Sequence, residues 1–73
     1  MVNNIASERT RIGLTQEQLA ERVGVNECSV RRWEKDPTDI RVSKLLELSS
    51  LFGCSTDYLL GRSPDRTYHL VRA

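Results

Sequence analysis

A chain of 73 residues is the size of one small domain, and 38% hydrophobic residues suffice for a single core. The formal net charge of +1, from 11 basic and 10 acidic side chains, excludes a protein that coats nucleic acid without regard to sequence. No apolar run approaches the roughly 20 residues of a membrane-spanning helix, and the N-terminus lacks the pattern of a signal peptide. Cys28 and Cys54 are expected to be free thiols in a reducing cytoplasm.

Helical spacing of apolar residues begins near the N-terminus. A first helix is predicted over about Asn3 to Ile12, and Gly13 suits its C-terminal end. A second helix begins after Thr15, because Thr15 and Gln18 fit a capping box in which each side chain satisfies a free backbone donor. Gly24 is predicted to end this second helix.

The middle of the chain contains two further predicted helices. The third runs from about Glu27 to Lys35, with Asn26 as its N-cap. The segment Asp36–Asp39 is predicted to be a loop, because its proline cannot continue a helix. The fourth helix spans about Val42 to Phe52 and ends at Gly53.

A short fifth helix is predicted between its cap, Ser55, and Gly61. The remaining tail, 62–73, contains a weak strand-like stretch at 67–72. The predicted fold is all-α, a compact five-helix domain over residues 1–61 followed by this tail, which could contribute to dimerisation.

Residues 16 to 35 combine the requirements of a helix-turn-helix unit. The small residue Ala20 stands where two helices cross closely, and Gly24 opens the turn, where glycine adopts a positive φ at little steric cost. Apolar residues occupy the positions that turn inward to fix an interhelical angle of about 90–120°. They are Leu19, Val23, Val25, Val30 and Trp33.

The segments Gln16–Val25, Ser29–Glu34, Leu45–Gly53 and Asp57–Gly61 resemble the phage-repressor family of helix-turn-helix regulators, also called the Xre or Cro/repressor type. The resemblance extends over about Ile5 to Gly61. It implies a transcriptional regulator, typically a repressor, whose third helix enters the major groove of double-stranded operator DNA. It also implies a homodimer. Separately, no cofactor is expected, and the reading of the cysteines as free thiols gives a cytoplasmic location as the expectation.

One broad arc of helix three carries polar side chains, while Val30 and Trp33 point the opposite way. Arginine can bind guanine, glutamate can accept from cytosine, and Cys28 could contact a thymine methyl group. Together with the resemblance, this arc predicts the base-reading residues Asn26, Glu27, Cys28, Arg31 and Arg32. The alternatives are a solvated helix face and, for Glu27, a stabilising position at the positive helix N-terminus.

Contacts to DNA phosphates are predicted for a second set of residues. Gln16 begins helix two, where free backbone N–H groups bind anions, and the resemblance assigns it the same role, although it could also be merely exposed. The assignment of Arg41 and Lys44 rests on a loose similarity, because the loop after Lys35 departs from the family's usual Asn-Gly or Arg-Gly. The full set is Thr15, Gln16, Ser29, Lys35, Arg41 and Lys44.

Arg9 and Glu34 match a buried ion pair in related repressors, and the alternative is that Arg9 binds a phosphate. Two cysteines and one histidine, His69, do not make a zinc site. There is no pairing of nucleophile and base, so the sequence argues against an enzyme.

Two features remain open at this stage. The dimer surface is expected to use helix five and the tail, through Tyr58, Leu59, Leu60, Tyr68 and Leu70, unless Leu59 and Leu60 complete the core instead. The alternative function is a protein-binding module, such as an antitoxin or adaptor. The near-neutral charge favours that alternative and the basic arc of helix three opposes it.

Overall fold

The computed structural model describes residues 3–67. Most of the predicted strand-like stretch, with Tyr68, His69 and Leu70, lies outside the described residues. Over residues 3–67 the chain forms five α-helices and no strand. The helices are α1 (Ile5–Arg11), α2 (Gln16–Val23), α3 (Glu27–Lys35), α4 (Val42–Phe52) and α5 (Thr56–Leu59). The predicted all-α, five-helix class is confirmed, and none of these helices is long and apolar enough to cross a membrane.

The predictions for α1, α5 and the loop were wrong in detail. Asn3 lies outside α1, because its Oδ1 accepts a hydrogen bond from the backbone N–H of Ile5 at 3.0 Å. Helix α5 ends at Leu59 rather than at Gly61, whose φ of 77° turns the chain away. The segment predicted as a loop contains one turn of 3-10 helix, Pro37–Asp39.

All five helices contribute to one core. Helices α2 and α3 pack against each other, and each contributes buried side chains to the core: Ala20 of α2 is 3% exposed and Val30 of α3 is fully buried. Full burial of a Leu or Ile side chain stabilises the fold by about 1.5–3 kcal/mol. Leu59 is fully buried, so it completes the core and cannot form part of a dimer surface. The buried apolar residues are Ile5, Leu19, Ala20, Val23, Val30, Trp33, Leu48, Phe52, Cys54 and Leu59.

A buried carboxylate joins α1 to the segment that follows α5. Glu8 is 3% exposed, and its Oε1 accepts from Nε of Arg11 at 2.9 Å and from Nη2 of Arg66 at 2.8 Å. Burial alone would raise the pKa of Glu8, but the hydrogen bonds and charges of the two arginines outweigh it and hold the pKa below 4.5. The backbone carbonyl of Arg66 also accepts from the N–H of Ser55 at 3.2 Å.

Candidate nucleic-acid interface

Local capping residues orient α2 and α3. The hydroxyl of Thr15 accepts from the N–H of Gln18 at 3.1 Å, and the Gln18 amide oxygen accepts from the N–H of Thr15 at 2.9 Å. Gly24 ends α2 with a φ of 72°. This is the left-handed conformation that a side chain would strain. The predicted capping box and turn are therefore confirmed.

The exposed face of α3 is the one that the helical period predicted. Val30 is fully buried and Trp33 is 4% exposed, so both face the core. The opposite face exposes one thiol and three cationic side chains: Cys28, Arg31, Arg32 and Lys35. Helix α3 therefore presents hydrogen-bond donors and one small apolar group to solvent.

Two of the predicted base-reading residues bind each other. Oε2 of Glu27 lies 2.6 Å from Nη2 of Arg31, one helical turn along α3. The hydrogen bond and negative charge of Glu27 raise the pKa of Arg31 above its ordinary value. The pair places a carboxylate and a guanidinium side by side, so the net charge at this point of the face is close to zero. Among residues 3–67, Arg32 forms no such ion pair.

Asn26 and Ser29 are joined at the start of α3. Oδ1 of Asn26 accepts from the backbone N–H of Ser29 at 3.0 Å and from its hydroxyl at 3.1 Å. The oxygen of Asn26 is thus used as the N-cap, which leaves its NH2 group as a donor. The structure gives Asn26 a structural role that is compatible with a DNA contact.

A groove of about 580 Å³ lies beside α3. Its walls come from α3, the turn before it and the start of α4. Three cations line it, Arg32, Arg41 and Lys44, together with one carboxylate, Asp39. Excess positive charge in a groove attracts phosphate oxygens, although Asp39 weakens that attraction.

Lys44 has a structural partner that the sequence analysis missed. Its Nζ donates to the backbone carbonyl of Val23 at 2.6 Å and lies 2.9 Å from Oε2 of Glu47. A cation at this carbonyl stabilises the negative C-terminal end of α2. A lysine 21 residues away from Val23 offers no local signal for such a cap.

Arg9 and Glu34 form the ion pair that the sequence analysis described, with Nε 2.6 Å from Oε2 and side chains only 18% and 11% exposed. The other oxygen of Glu34 accepts from Nε2 of Gln16 at 2.9 Å, a contact that the sequence analysis missed. Gln16 is the first residue of α2 and Glu34 is the last but one of α3, so this bond brings the start of α2 against the C-terminal end of α3.

The candidate residues therefore form two groups on α2, α3 and the start of α4. One group lies where α2 begins and α3 ends, and comprises Thr15, Gln16 and Lys35. The other surrounds the start of α3 and the groove, and comprises Asn26, Glu27, Cys28, Ser29, Arg31, Arg32, Arg41 and Lys44.

Comparisons with known proteins show the family to which the chain belongs. A family model described as helix-turn-helix matches residues 5–59. The chain is 39% identical over 54 residues to the HTH-type transcriptional regulator ImmR of Bacillus subtilis (strain 168), covering 74% of this chain and 42% of that protein. It is 35% identical over 60 residues to Repressor protein C2 of Salmonella phage P22, covering 82% of this chain and 28% of that protein. The chain thus spans less than half the length of these curated relatives.

A solved structure shares the fold. The crystal structure of the P22 c2 repressor protein, in complex with synthetic operator 9T in the presence of Tl+, matches with a TM-score of 0.72 and 33% sequence identity. The match covers 82% of this chain and 91% of that chain.

Proposed function

Because the chain belongs to the helix-turn-helix family, we propose that it binds a specific DNA operator as a transcriptional regulator of the repressor type. Helix α3 enters the major groove. The observation that carries the proposal is the exposed face of α3, where Arg31, Arg32 and Cys28 point away from a core that holds Val30 and Trp33. The P22 c2 repressor, similar in sequence and fold, binds a synthetic operator.

In this proposal the residues divide by role. Arg32 and Cys28 contact base edges, Asn26 contributes its NH2 group, and Glu27 with Arg31 contacts bases as a pair. Gln16 anchors the DNA backbone at one end of the unit. Five further residues contact phosphates, namely Thr15, Ser29, Lys35, Arg41 and Lys44.

The protein acts as a homodimer in this proposal. One module presents few base-reading side chains, and two identical half-sites about one helical turn apart roughly double the binding energy. A sedimentation experiment at micromolar concentration, with and without DNA, tests this. A monomer under both conditions would refute the dimer. The contribution of the tail to the dimer stays a prediction.

Selection of binding sites from random duplex DNA tests the function directly. We expect a palindromic consensus, because a symmetric dimer reads two copies of one half-site. The matched control is the double variant Arg31→Ala, Arg32→Ala with an unchanged circular dichroism spectrum, which should lose the consensus. A folded wild-type protein that enriches no sequence would contradict operator binding and favour the antitoxin or adaptor function.

The proposal includes no catalytic activity. The relatives are named as regulators or repressors, and none of those names is an enzyme's. The proposed location is the cytoplasm, where operator DNA of a bacterium or its phage is found.

A further inference from the structure

The side chain of Gln16 is already engaged before any DNA is bound. Its Nε2 donates to Oε1 of Glu34 at 2.9 Å, which links the first residue of α2 to the penultimate residue of α3. A glutamine amide has two N–H donors and one carbonyl acceptor, so this bond leaves one N–H for a phosphate oxygen. The group proposed to contact the DNA backbone is therefore held by the other helix of the unit.

The carboxylate that holds Gln16 is itself fixed. Oε2 of Glu34 accepts from Nε of Arg9 at 2.6 Å, and Nη1 of Arg9 donates to the carbonyl of Leu14 at 2.7 Å. The backbone carbonyl of Glu34 accepts from Nδ2 of Asn3 at 2.9 Å. Rotation of the Glu34 carboxylate would break two hydrogen bonds at once, because each of its oxygens has a separate donor. Its 11% exposed side chain adds little freedom.

This arrangement reduces the cost of DNA binding. Ordering a free glutamine side chain costs on the order of tenfold in affinity. In this protein the ordering accompanies folding, so the free protein already has the amide in place. The negative charge of Glu34 would repel a phosphate, but the guanidinium of Arg9 offsets it at 2.6 Å.

We infer that Glu34 is a positioning residue for DNA binding: its carboxylate orients the Gln16 amide for contact with a backbone phosphate. The inference rests on the proposed DNA-binding function. It gives Glu34 a role in addition to its ion pair with Arg9.

A double-mutant cycle separates this role from a purely structural one. The affinity for the duplex enriched by selection is measured by fluorescence anisotropy for wild type, Gln16→Ala, Glu34→Gln and the double variant, at a temperature where each is folded. We expect each single substitution to weaken binding about 3- to 10-fold. The double variant should bind no more than about twofold more weakly than Gln16→Ala.

A purely structural Glu34 gives a different result. Glu34→Gln would then weaken binding by the same factor whether or not Gln16 is present, and this outcome would overturn the inference. If Glu34→Gln does not fold, Glu34→Asp replaces it, since it keeps the charge and shortens the reach by one methylene. Nuclear magnetic resonance of the wild-type Gln16 NH2 group should show restricted motion without DNA. A Gln16 side chain as mobile as an unrestrained glutamine would also overturn the inference.

The control is Glu17→Gln, which removes an exposed negative charge next to Gln16 and leaves Glu34 in place. It should not change the effect of Gln16→Ala, because Glu17 does not hold that amide. A wild-type protein that binds no duplex overturns the proposed function and this inference together. If the wild-type protein binds DNA and the double variant loses affinity by the product of the two single factors, this inference alone is overturned.

Discussion

Arg31 and Arg32 are neighbours on α3 with the same side chain, yet they have different partners. Arg31 lies 2.6 Å from Glu27, whereas Arg32 lines the groove. An arginine that already binds a carboxylate has fewer free donors for a base edge. The helical period predicted that both side chains point outward. It could not predict their partners, because these depend on rotamers rather than on helical position.

Arg32 is therefore the sharper test of base reading. We expect Arg32→Ala to weaken operator binding by about 1–3 kcal/mol and to relax the preference at one base pair, since a bidentate contact to guanine is lost. Binding to a set of single-base operator variants measures this. Arg62→Ala, which removes an exposed charge beyond α5, is the control and should keep every preference. Unchanged specificity in Arg32→Ala would mean that Arg32 does not contact a base edge.

The two cysteines differ in the same way, by environment rather than type. Cys28 is exposed on α3, whereas Cys54 is fully buried and burial raises its pKa to about 11. At pH 8 only about one in a thousand Cys54 side chains would be thiolate. We expect a disulfide reagent to label one thiol in the native protein and both after unfolding. With Cys28→Ser, native labelling should disappear. Two thiols labelled at equal native rates would contradict the buried position of Cys54.

At the scale of elements, the bounds of a helix could be predicted where residues close in sequence set them, and not where distant contacts do. Helices α2, α3 and α4 have the predicted bounds, and neighbouring residues cap most of their ends: Thr15 and Gly24 for α2, Asn26 for α3 and Gly53 for α4. The start of α4 has no side-chain hydrogen bond at its cap. Helix α1 depends on a distant partner. The backbone N–H of Asn4 donates to the carbonyl of Leu59 at 3.0 Å, and its side chain donates to the carbonyl of Tyr58 at 2.7 Å. A pattern of neighbouring residues contains no information about contacts across 54 positions.

The cap of α3 allows stability and binding to be separated. Serine caps a helix about as well as asparagine, so we expect Asn26→Ser to change the free energy of unfolding by less than about 0.5 kcal/mol. Asn26→Ala should cost about 1 kcal/mol, because the N–H of Ser29 loses its acceptor. Both variants lose the NH2 group and should bind operator about equally weakly. Urea unfolding and anisotropy measure the two effects. Wild-type affinity in Asn26→Ser would limit Asn26 to capping.

At the scale of the whole molecule, the buried Glu8 ties the two ends of the described chain together. The side chain of Arg66 is 45% exposed and reaches a carboxylate 58 residues earlier in the sequence. Its Nη2 also donates to the carbonyl of Phe52 at 3.2 Å, next to the same bond from Arg11 at 2.9 Å. Helical periodicity indicated a core but not a buried charge, since a glutamate at this position reads as solvent-facing. The apolar core could thus be predicted, while the ion pair between Glu8 and Arg66 could not.

The ion pair between Glu8 and Arg66 makes the stability of the fold depend on pH in the acid range. The folded pKa of Glu8 is lowered, so its contribution is present above about pH 4.5 and is lost as the pH falls through the folded value. Arg66→Ala removes the largest cause that lowers this pKa, so the folded value rises. We expect a lower melting temperature at pH 7 and an acid-unfolding midpoint shifted to higher pH.

The matched control for Arg66→Ala is Arg62→Ala, because Arg62 contributes its backbone N–H to the carbonyl of Asp57 at 2.8 Å and keeps that bond when its side chain is removed. Thermal and acid unfolding followed by circular dichroism should leave this control close to wild type. The Glu8→Gln variant adds a second comparison, because glutamine has no carboxyl group whose pKa Arg66 could lower. In that background Arg66→Ala should no longer move the acid midpoint. A shift of equal size with and without the Glu8 carboxylate would mean that Arg66 stabilises the fold through its bond to Phe52 rather than through its charge.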